Sequence, residues 1–531
     1  AYMLFTSGEF IFFLAITIFL YYILPKKWQW KFLLLSNCVF YYAAGAMGFL
    51  FIAATIISTY LLSIKIDKIS SQEKEQIKNN KAVWTKEEKK SYKEKMKKKR
   101  GRYLITGILF NFGILAVLKY ANFVIFNVNG IFFNDDNALQ LIDFFVPLGI
   151  SFYTFQIMGY LIDLYYGKYK AERNIFKLAL FTSFFPQLIQ GPISRFANLS
   201  KTLYEEHSLQ WSNIRLGLER ILWGYFKKVV IADRMLIGVK ALIGAPEQYD
   251  GVFALIGMLF YAVELYADFT GGIDITIGIG QMMGINVMEN FYRPFFSKNI
   301  AEYWRRWHIS LGEWFKEYIF YPVSISGWMM KLTKKSKKIF GDRFGKKIPV
   351  YLATIITWFT TGLWHGAAWN FIVWGLGNCL VIVVSEELKP LYRKFHEKFP
   401  KLKPTWGYKV FEILRTFLIM SSLRMFDCYR DVGLTFKMFF SIFTDFRISD
   451  ITGGELLNLG LTSGDYIILA TGILLMFTIS MLQRHAAIRT QISNKGFAFE
   501  CAVFALLFIS IIIFGAYGIG YDASQFIYNQ F

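Results

Sequence analysis

Twelve apolar runs recur along this chain, at 10–24, 31–44, 49–64, 102–118, 141–165, 216–243, 252–267, 348–364, 367–385, 410–424, 464–482 and 497–517. Each is long enough to cross, or nearly cross, the ~30 Å hydrocarbon core of a bilayer. Lipid offers no hydrogen bonds, so such runs can satisfy their backbone only as helices or closed barrels, and their length and lack of alternation select helices. A 55% hydrophobic share, 19% aromatic residues and a mean hydropathy of +0.36 over 531 residues exclude an ordinary soluble protein. The expected fold is an all-α polytopic membrane protein with about 11–12 spans. Two further runs, 175–190 and 270–285, are short and interrupted by Pro or Gly, and are expected to be re-entrant or tilted segments lining a cavity.

The formal charge of +21 sits in a few loops rather than being spread along the chain. Between Lys65 and Arg102 there are fifteen Lys/Arg against six Asp/Glu, and further basic stretches lie at 331–347 and 389–409. This pattern reads as orientation: the basic loops face the cytoplasm and meet anionic headgroups, so nucleic acid is not implied. The loops at 134–139, 246–251 and 445–465, and both termini, are then expected outside. The run 10–24 lacks a basic segment before it and is followed by Leu24-Pro25-Lys26-Lys27, so it is expected to be the first span rather than a cleaved signal, with Met3 as the natural start. The four cysteines are scattered without metal-ligand spacing, and no phosphate-loop or His-Glu-x-x-His motif occurs, so no metal site is expected.

Two histidines stand in tryptophan-rich apolar sequence: His308 in YWRRWHISLGEWF (303–315) and His365 in WFTTGLWHGAAWNFIVWG (358–375). A low-dielectric setting disfavours the charged imidazole, leaving a lone pair that can take a proton. Trp304 and His308 are four apart and are expected on one helix face, with Arg305 and Arg306 pointing elsewhere, suited to the phosphates of an acyl donor or to lipid headgroups. Trp364 is a bulky wall beside His365. Asp268, between Tyr266 and Phe269 in an apolar run, is expected to partner an imidazole or an arginine. His207, His396 and His485 lie in polar stretches and are expected in loops.

The strings PLGISFYTFQIMGYLIDLYYG (147–167), FFPQLIQGPISRF (184–196), YADFTGGIDITIGIGQMMGINVMENFYRPFFSKNIAEYWRRWHISLGEWFKEYIFYP (266–322) and TGLWHGAAWNFIVWG (361–375) together resemble the membrane-bound O-acyltransferase family. The nearest branch is that of bacterial alginate O-acetylation proteins. The resemblance covers most of the chain and weakens beyond about 425. Two departures are TGGID at 270–274 and GLGN at 375–378, neither touching His308 or His365.

The resemblance implies a single integral-membrane acyltransferase domain over 1–531, with its core at about 147–378, N-terminal spans in 10–133 and C-terminal spans in 410–517. It implies His365 as the catalytic histidine and His308 as a second active-site histidine. The donor would be acetyl-CoA or another acyl thioester, with no permanently bound cofactor. The implied location is the bacterial cytoplasmic membrane. The implied partners are an extracytoplasmic acetyltransferase of the SGNH class and the machinery that makes and exports a polysaccharide. A neutral imidazole beside an acceptor hydroxyl is what such transfer requires, a positioned base being worth ~10² to 10⁴ in rate. D-alanyl or lipid acyl transfer within the same family, and a transporter or flippase without chemistry, are the competing readings.

Overall fold

The computed structural model describes residues 3–133 and 138–517. The expected outer segments at 134–137 and from 518 to the C-terminus therefore lie outside the described residues. The described chain is helical, with an isolated bridge between Phe291 and Trp307 as its β pairing. It divides into two compact units, residues 1–215 with 279–288, and 216–278 with 289–531.

In the first unit, α1 (Gly8–Ile23), α2 (Gln29–Ala44), α3 (Ala46–Asn79) and α4 (Lys86–Phe132) form the N-terminal part. The basic loop is an extension of α3 and α4 themselves, closed by a reciprocal capping box in which Thr85 and Glu88 satisfy each other's backbone amides. The α5 helix (Ile150–Tyr165) starts after Gly149, held at φ +70 because a Cβ there would lie 3.0 Å from the Leu188 carbonyl. The run 175–190 is indeed broken, into α6 (Ile175–Ser183) and α7 (Phe185–Gln190), with Pro186 in the first turn of α7. Buried Asn37 bridges the break, accepting from the Phe185 amide (3.1 Å) and donating to Ser183 (3.2 Å). Phe10, Phe40 and Phe185 pack as one aromatic core, and α8 (Phe196–Leu203) follows.

The second unit takes up α9 (Trp211–Tyr225), a π-helical turn at Phe226–Ala232, α10 (Asp233–Gly244) and α11 (Val252–Met282). The expectation of a broken segment at 270–285 is not met: α11 runs unbroken to Met282. Its glycines serve close packing instead. A Cβ on Gly271 would lie 2.9 Å from the Gly224 carbonyl, and one on Gly278 2.6 Å from the Gly217 carbonyl, so α9 and α11 meet backbone to backbone. Then come α12 (Ile300–Arg306), α13 (Ile309–Phe315), α14 (Tyr321–Ser324), α15 (Gly327–Gly345), α16 (Lys347–His365), α17 (Trp369–Glu387), α18 (Lys389–Lys398), α19 (Trp406–Leu423) and α20 (Met425–Tyr429). The chain closes with α21 (Val432–Thr444), α22 (Ser449–Thr452), α23 (Ser463–Leu482), α24 (Ile488–Ser493) and α25 (Phe497–Phe514). His396 lies on α18, not in a loop.

Among the described residues six helices are long and apolar enough to cross a membrane: α3, α4, α11, α17, α23 and α25. Other apolar runs fold as shorter helices, such as α1, or are split, as 216–243 is by the π-helical turn. Large apolar side chains stand fully outward on these helices, among them Phe12, Phe19, Leu109, Phe126, Leu474 and Ile513. Such a surface is stable only against lipid. The chain is a multi-pass membrane protein.

Candidate active site

His308 does not sit on a helix. The α12 helix ends at Arg306, Trp307 pairs with Phe291 across the β-bridge, and His308 takes the left-handed conformation (φ +48) before α13 begins. The helix-face relation expected between Trp304 and His308 is therefore absent. The reason is Asn290, fully buried, whose groups claim the start of α13. Its backbone carbonyl accepts from the Ile309 amide (2.9 Å), and its side-chain oxygen accepts from both the amide and the hydroxyl of Ser310 (2.9 Å each). A left-handed non-glycine residue at a site so over-determined is typical of functional positions.

Asn290 also holds the Nδ1 edge of His308. A backbone amide can only donate, so the Asn290 atom facing Ser310 must be its carbonyl oxygen, and the amide nitrogen is the other arm. That nitrogen lies 3.2 Å from His308 Nδ1. The Asn290 side-chain oxygen lies 3.3 Å from the same Nδ1, so Asn290 meets this edge of the ring whether Nδ1 accepts or donates. Burial, and then the nearby Arg424 guanidinium, push the pKa of His308 down from 6.5 to about 3, so the ring stays neutral at physiological pH.

His365 is the last residue of α16 and is buried. Its ring meets Trp374 at 4.5 Å and Trp364 at 5.1 Å, both edge to face. Trp364 also meets the His308 ring at 5.9 Å, so one indole contacts both imidazoles. The α16–α17 hairpin that brings this about is closed by glycines. A Cβ on Gly375 would lie 2.4 Å from the Trp358 carbonyl, and one on Gly362 2.5 Å from the Phe371 carbonyl. The carbonyl end of α16 also favours the positive charge His365 acquires when it accepts a proton.

Arg424, at the end of α19, lies over Trp374 (4.7 Å), Trp307 (5.4 Å) and Trp304 (5.8 Å), and donates to Asp427 (3.1 Å). Trp304 packs on Trp358 (4.9 Å) and Trp374 (5.9 Å), forming one wall of this aromatic box. A guanidinium buried among indoles keeps its charge through cation–π attraction and its carboxylate partner. Asn290, Trp374, Arg424 and Asp427 carried no weight in the sequence. Arg424 alone had a usable signal, as a charge at the end of an apolar run.

The remaining expected site residues lie elsewhere. Arg305 is exposed. Arg306 pairs with Glu302 (2.5 Å) and donates to the Arg293 carbonyl (3.3 Å), with its guanidinium over the Tyr292 ring (5.7 Å), so its fork is engaged within the protein. Asp268 takes a lysine as an ion-pair partner. It pairs with Lys228 (2.6 Å), which also binds Asp233 (2.7 Å), while neighbouring Lys227 binds Asp274 (2.6 Å) and Thr270 (2.7 Å). The π-helical turn places both lysines toward α11, which an α-helical spacing of adjacent residues does not do. This ladder joins α11 to the π turn.

The profile of the membrane-bound O-acyltransferase family matches residues 170–426, a span holding both histidines and Arg424. A probable alginate O-acetylase of Azotobacter vinelandii is 30% identical over 463 residues, covering 86% of this chain and 82% of that protein. A peptidoglycan O-acetyltransferase of Helicobacter pylori is 31% identical, covering 75% of this chain and 73% of that protein. A teichoic acid D-alanyltransferase of Bacillus subtilis is 28% identical over 51% of this chain and 65% of its own length. With two buried imidazoles against one indole in a multi-pass helical protein, and with this similarity along most of its length, the chain belongs to the membrane-bound O-acyltransferase family, in its alginate O-acetylase-like branch.

Proposed function

We propose that this O-acyltransferase passes acetyl groups from a cytoplasmic thioester, such as acetyl-CoA, across the membrane for O-acetylation of an exported polysaccharide. The observation that carries this reading is the contact of both His365 and His308 with one indole, Trp364. His365 accepts the proton of the acceptor hydroxyl as its oxygen attacks the thioester carbonyl. His308, neutral and carrying its proton on Nε2, donates to the oxygen that becomes negative. The carbon–sulfur bond then breaks, and the departing thiolate takes up the proton held by His365. A preorganised neutral donor in a dry site is the arrangement that stabilises such an oxyanion.

Similarity to alginate and peptidoglycan O-acetylating proteins over most of the chain supports acetyl transfer over D-alanyl transfer, where the match covers about half. The bacterial cytoplasmic membrane is the location this route requires. An SGNH-class acetyltransferase outside the membrane and the polysaccharide synthesis and export machinery are the partners proposed with it. The test is acetyl incorporation into surface polysaccharide in cells expressing the wild type, His365→Ala or His308→Ala at matched membrane levels. Loss of acetylation with His365→Ala is expected; unchanged acetylation would sink the mechanism. Normal acetylation with reduced export would point to transport instead.

A further inference from the structure

A polar cavity of about 220 Å³ lies wholly in the first unit, around the turn that leads into α8. Ser194, Arg195, Asn198, Lys201 and Asn286 line it, and no carboxylate does among the described residues. The turn is tightly built. A Cβ on Gly191 would lie 2.6 Å from the Gln187 Cα, and the Gln187 side-chain amide donates to Ser194 Oγ (2.5 Å). Ser194 is 3% exposed, and this accepted bond is its side chain's hydrogen bond within the protein, so its own proton is left for the cavity it lines.

The Arg195 carbonyl accepts from the Asn198 and Leu199 amides (3.1 and 3.0 Å), while the Phe196 and Ala197 amides, at the start of an eight-residue helix, have no intrahelical acceptor. The Asn286 amide is tied to Thr202 (2.9 Å), which fixes the far side of the cavity against α8. Two cations and a buried hydroxyl donor lining one hollow describe a receptor for an anion.

Position narrows the anion. Phe196 packs on Tyr160 (4.8 Å) and Tyr169 (5.3 Å), the Tyr160 hydroxyl accepts from the Glu172 amide, and the adjoining Arg173 pairs with Asp67 at the foot of the basic extension of α3. These contacts tie the cavity to the end of the unit carrying Lys65–Arg102, the side that the positive-inside pattern assigns to the cytoplasm. We propose that it binds a phosphate ester presented from the cytoplasmic side. The Ser194 hydroxyl donates to a phosphate oxygen, and Arg195 and Lys201 match its charge. This chemistry is shared by the phosphates of a nucleotide-type thioester donor and by an anionic lipid headgroup. The first source rests on the thioester reading above, whereas the site itself does not.

The test uses the full chain in neutral detergent and reads binding rather than acyl transfer, so failure of the acetyl reading and failure of this site are separable. Coenzyme A binding is measured by titration calorimetry, and retention of dioleoylphosphatidylglycerol by native mass spectrometry. The proteins are the wild type, the double variant Arg195→Gln/Lys201→Gln, Ser194→Ala, and Lys201→Gln, which alters only an exposed side chain and keeps the fold. The double variant is expected to weaken one probe at least tenfold, with Ser194→Ala and Lys201→Gln each causing a severalfold loss of the same probe. Loss confined to coenzyme A assigns the donor, and loss confined to the lipid assigns the headgroup. If both probes behave alike in the wild type and the variants, the site is refuted.

Discussion

Replacing Asn290 with Asp tests the assignment of His308 as a hydrogen-bond donor. The substitution is nearly isosteric and preserves an oxygen for the Ser310 amide and hydroxyl, each 2.9 Å away. The second arm changes from a donor to an acceptor, 3.2 Å from His308 Nδ1. The ring must then carry its proton on Nδ1, and Nε2 becomes a lone pair aimed where a donor is needed. Removing one preorganised donor from a developing oxyanion costs ~10² to 10³ in kcat, about 3–4 kcal/mol, with KM little changed because the bond strengthens only in the transition state. Asn290→Ala behaves differently, leaving two buried Ser310 donors without an acceptor at ~1–3 kcal/mol each, and so lowers thermal stability as well as rate. The assay is acetyl transfer by purified protein in nanodiscs, with kcat and KM separated, beside thermal unfolding. If Asn290→Asp keeps kcat within about threefold of the wild type, the donor role of His308 is wrong.

Three further outcomes follow from the geometry. Gly375→Ala, with its Cβ 2.4 Å from the Trp358 carbonyl, should spread α16 from α17, costing ~1–3 kcal/mol in stability and more than tenfold in activity; an unchanged unfolding midpoint would contradict the close crossing. Lys228→Met strands the Asp268 and Asp233 carboxylates and should cost ~3–5 kcal/mol, partly restored by adding Asp268→Asn, as read by unfolding in detergent. His308, held near 3 when folded and 6.5 when unfolded, refuses a proton that the unfolded chain accepts, so stability is complete above the unfolded value and falls with decreasing pH. Between about pH 6.5 and about pH 4.5 the loss should be ~2 kcal/mol, and His308→Gln should flatten that slope in unfolding scans; parallel curves for the two proteins would remove the basis for a neutral His308.

The apolar runs and the placement of Lys and Arg were enough to establish a multi-pass helical protein. Each run must bury its own backbone hydrogen bonds in lipid whatever its neighbours do, so this information is local. The two histidines were visible for the same reason, as ionisable groups in apolar sequence. The misreadings came where local pattern and packing part company. The glycines at 271 and 278 look like breaks, yet they let α9 and α11 touch. Asp268 looks like a histidine's partner, yet a π-helical turn delivers Lys228 to it.

Only the tertiary structure could decide the chemistry of the site. Asn290 lies eighteen residues from His308, and its bonds, not helical periodicity, set that residue's left-handed backbone and hold its ring. The box around Arg424 draws indoles from α12, α17 and the bridge residue Trp307. Periodicity states which face of a helix a side chain occupies; which faces meet depends on where helices cross, and here glycines at 362 and 375 determine the crossing that brings His365 beside Trp364 and Trp374.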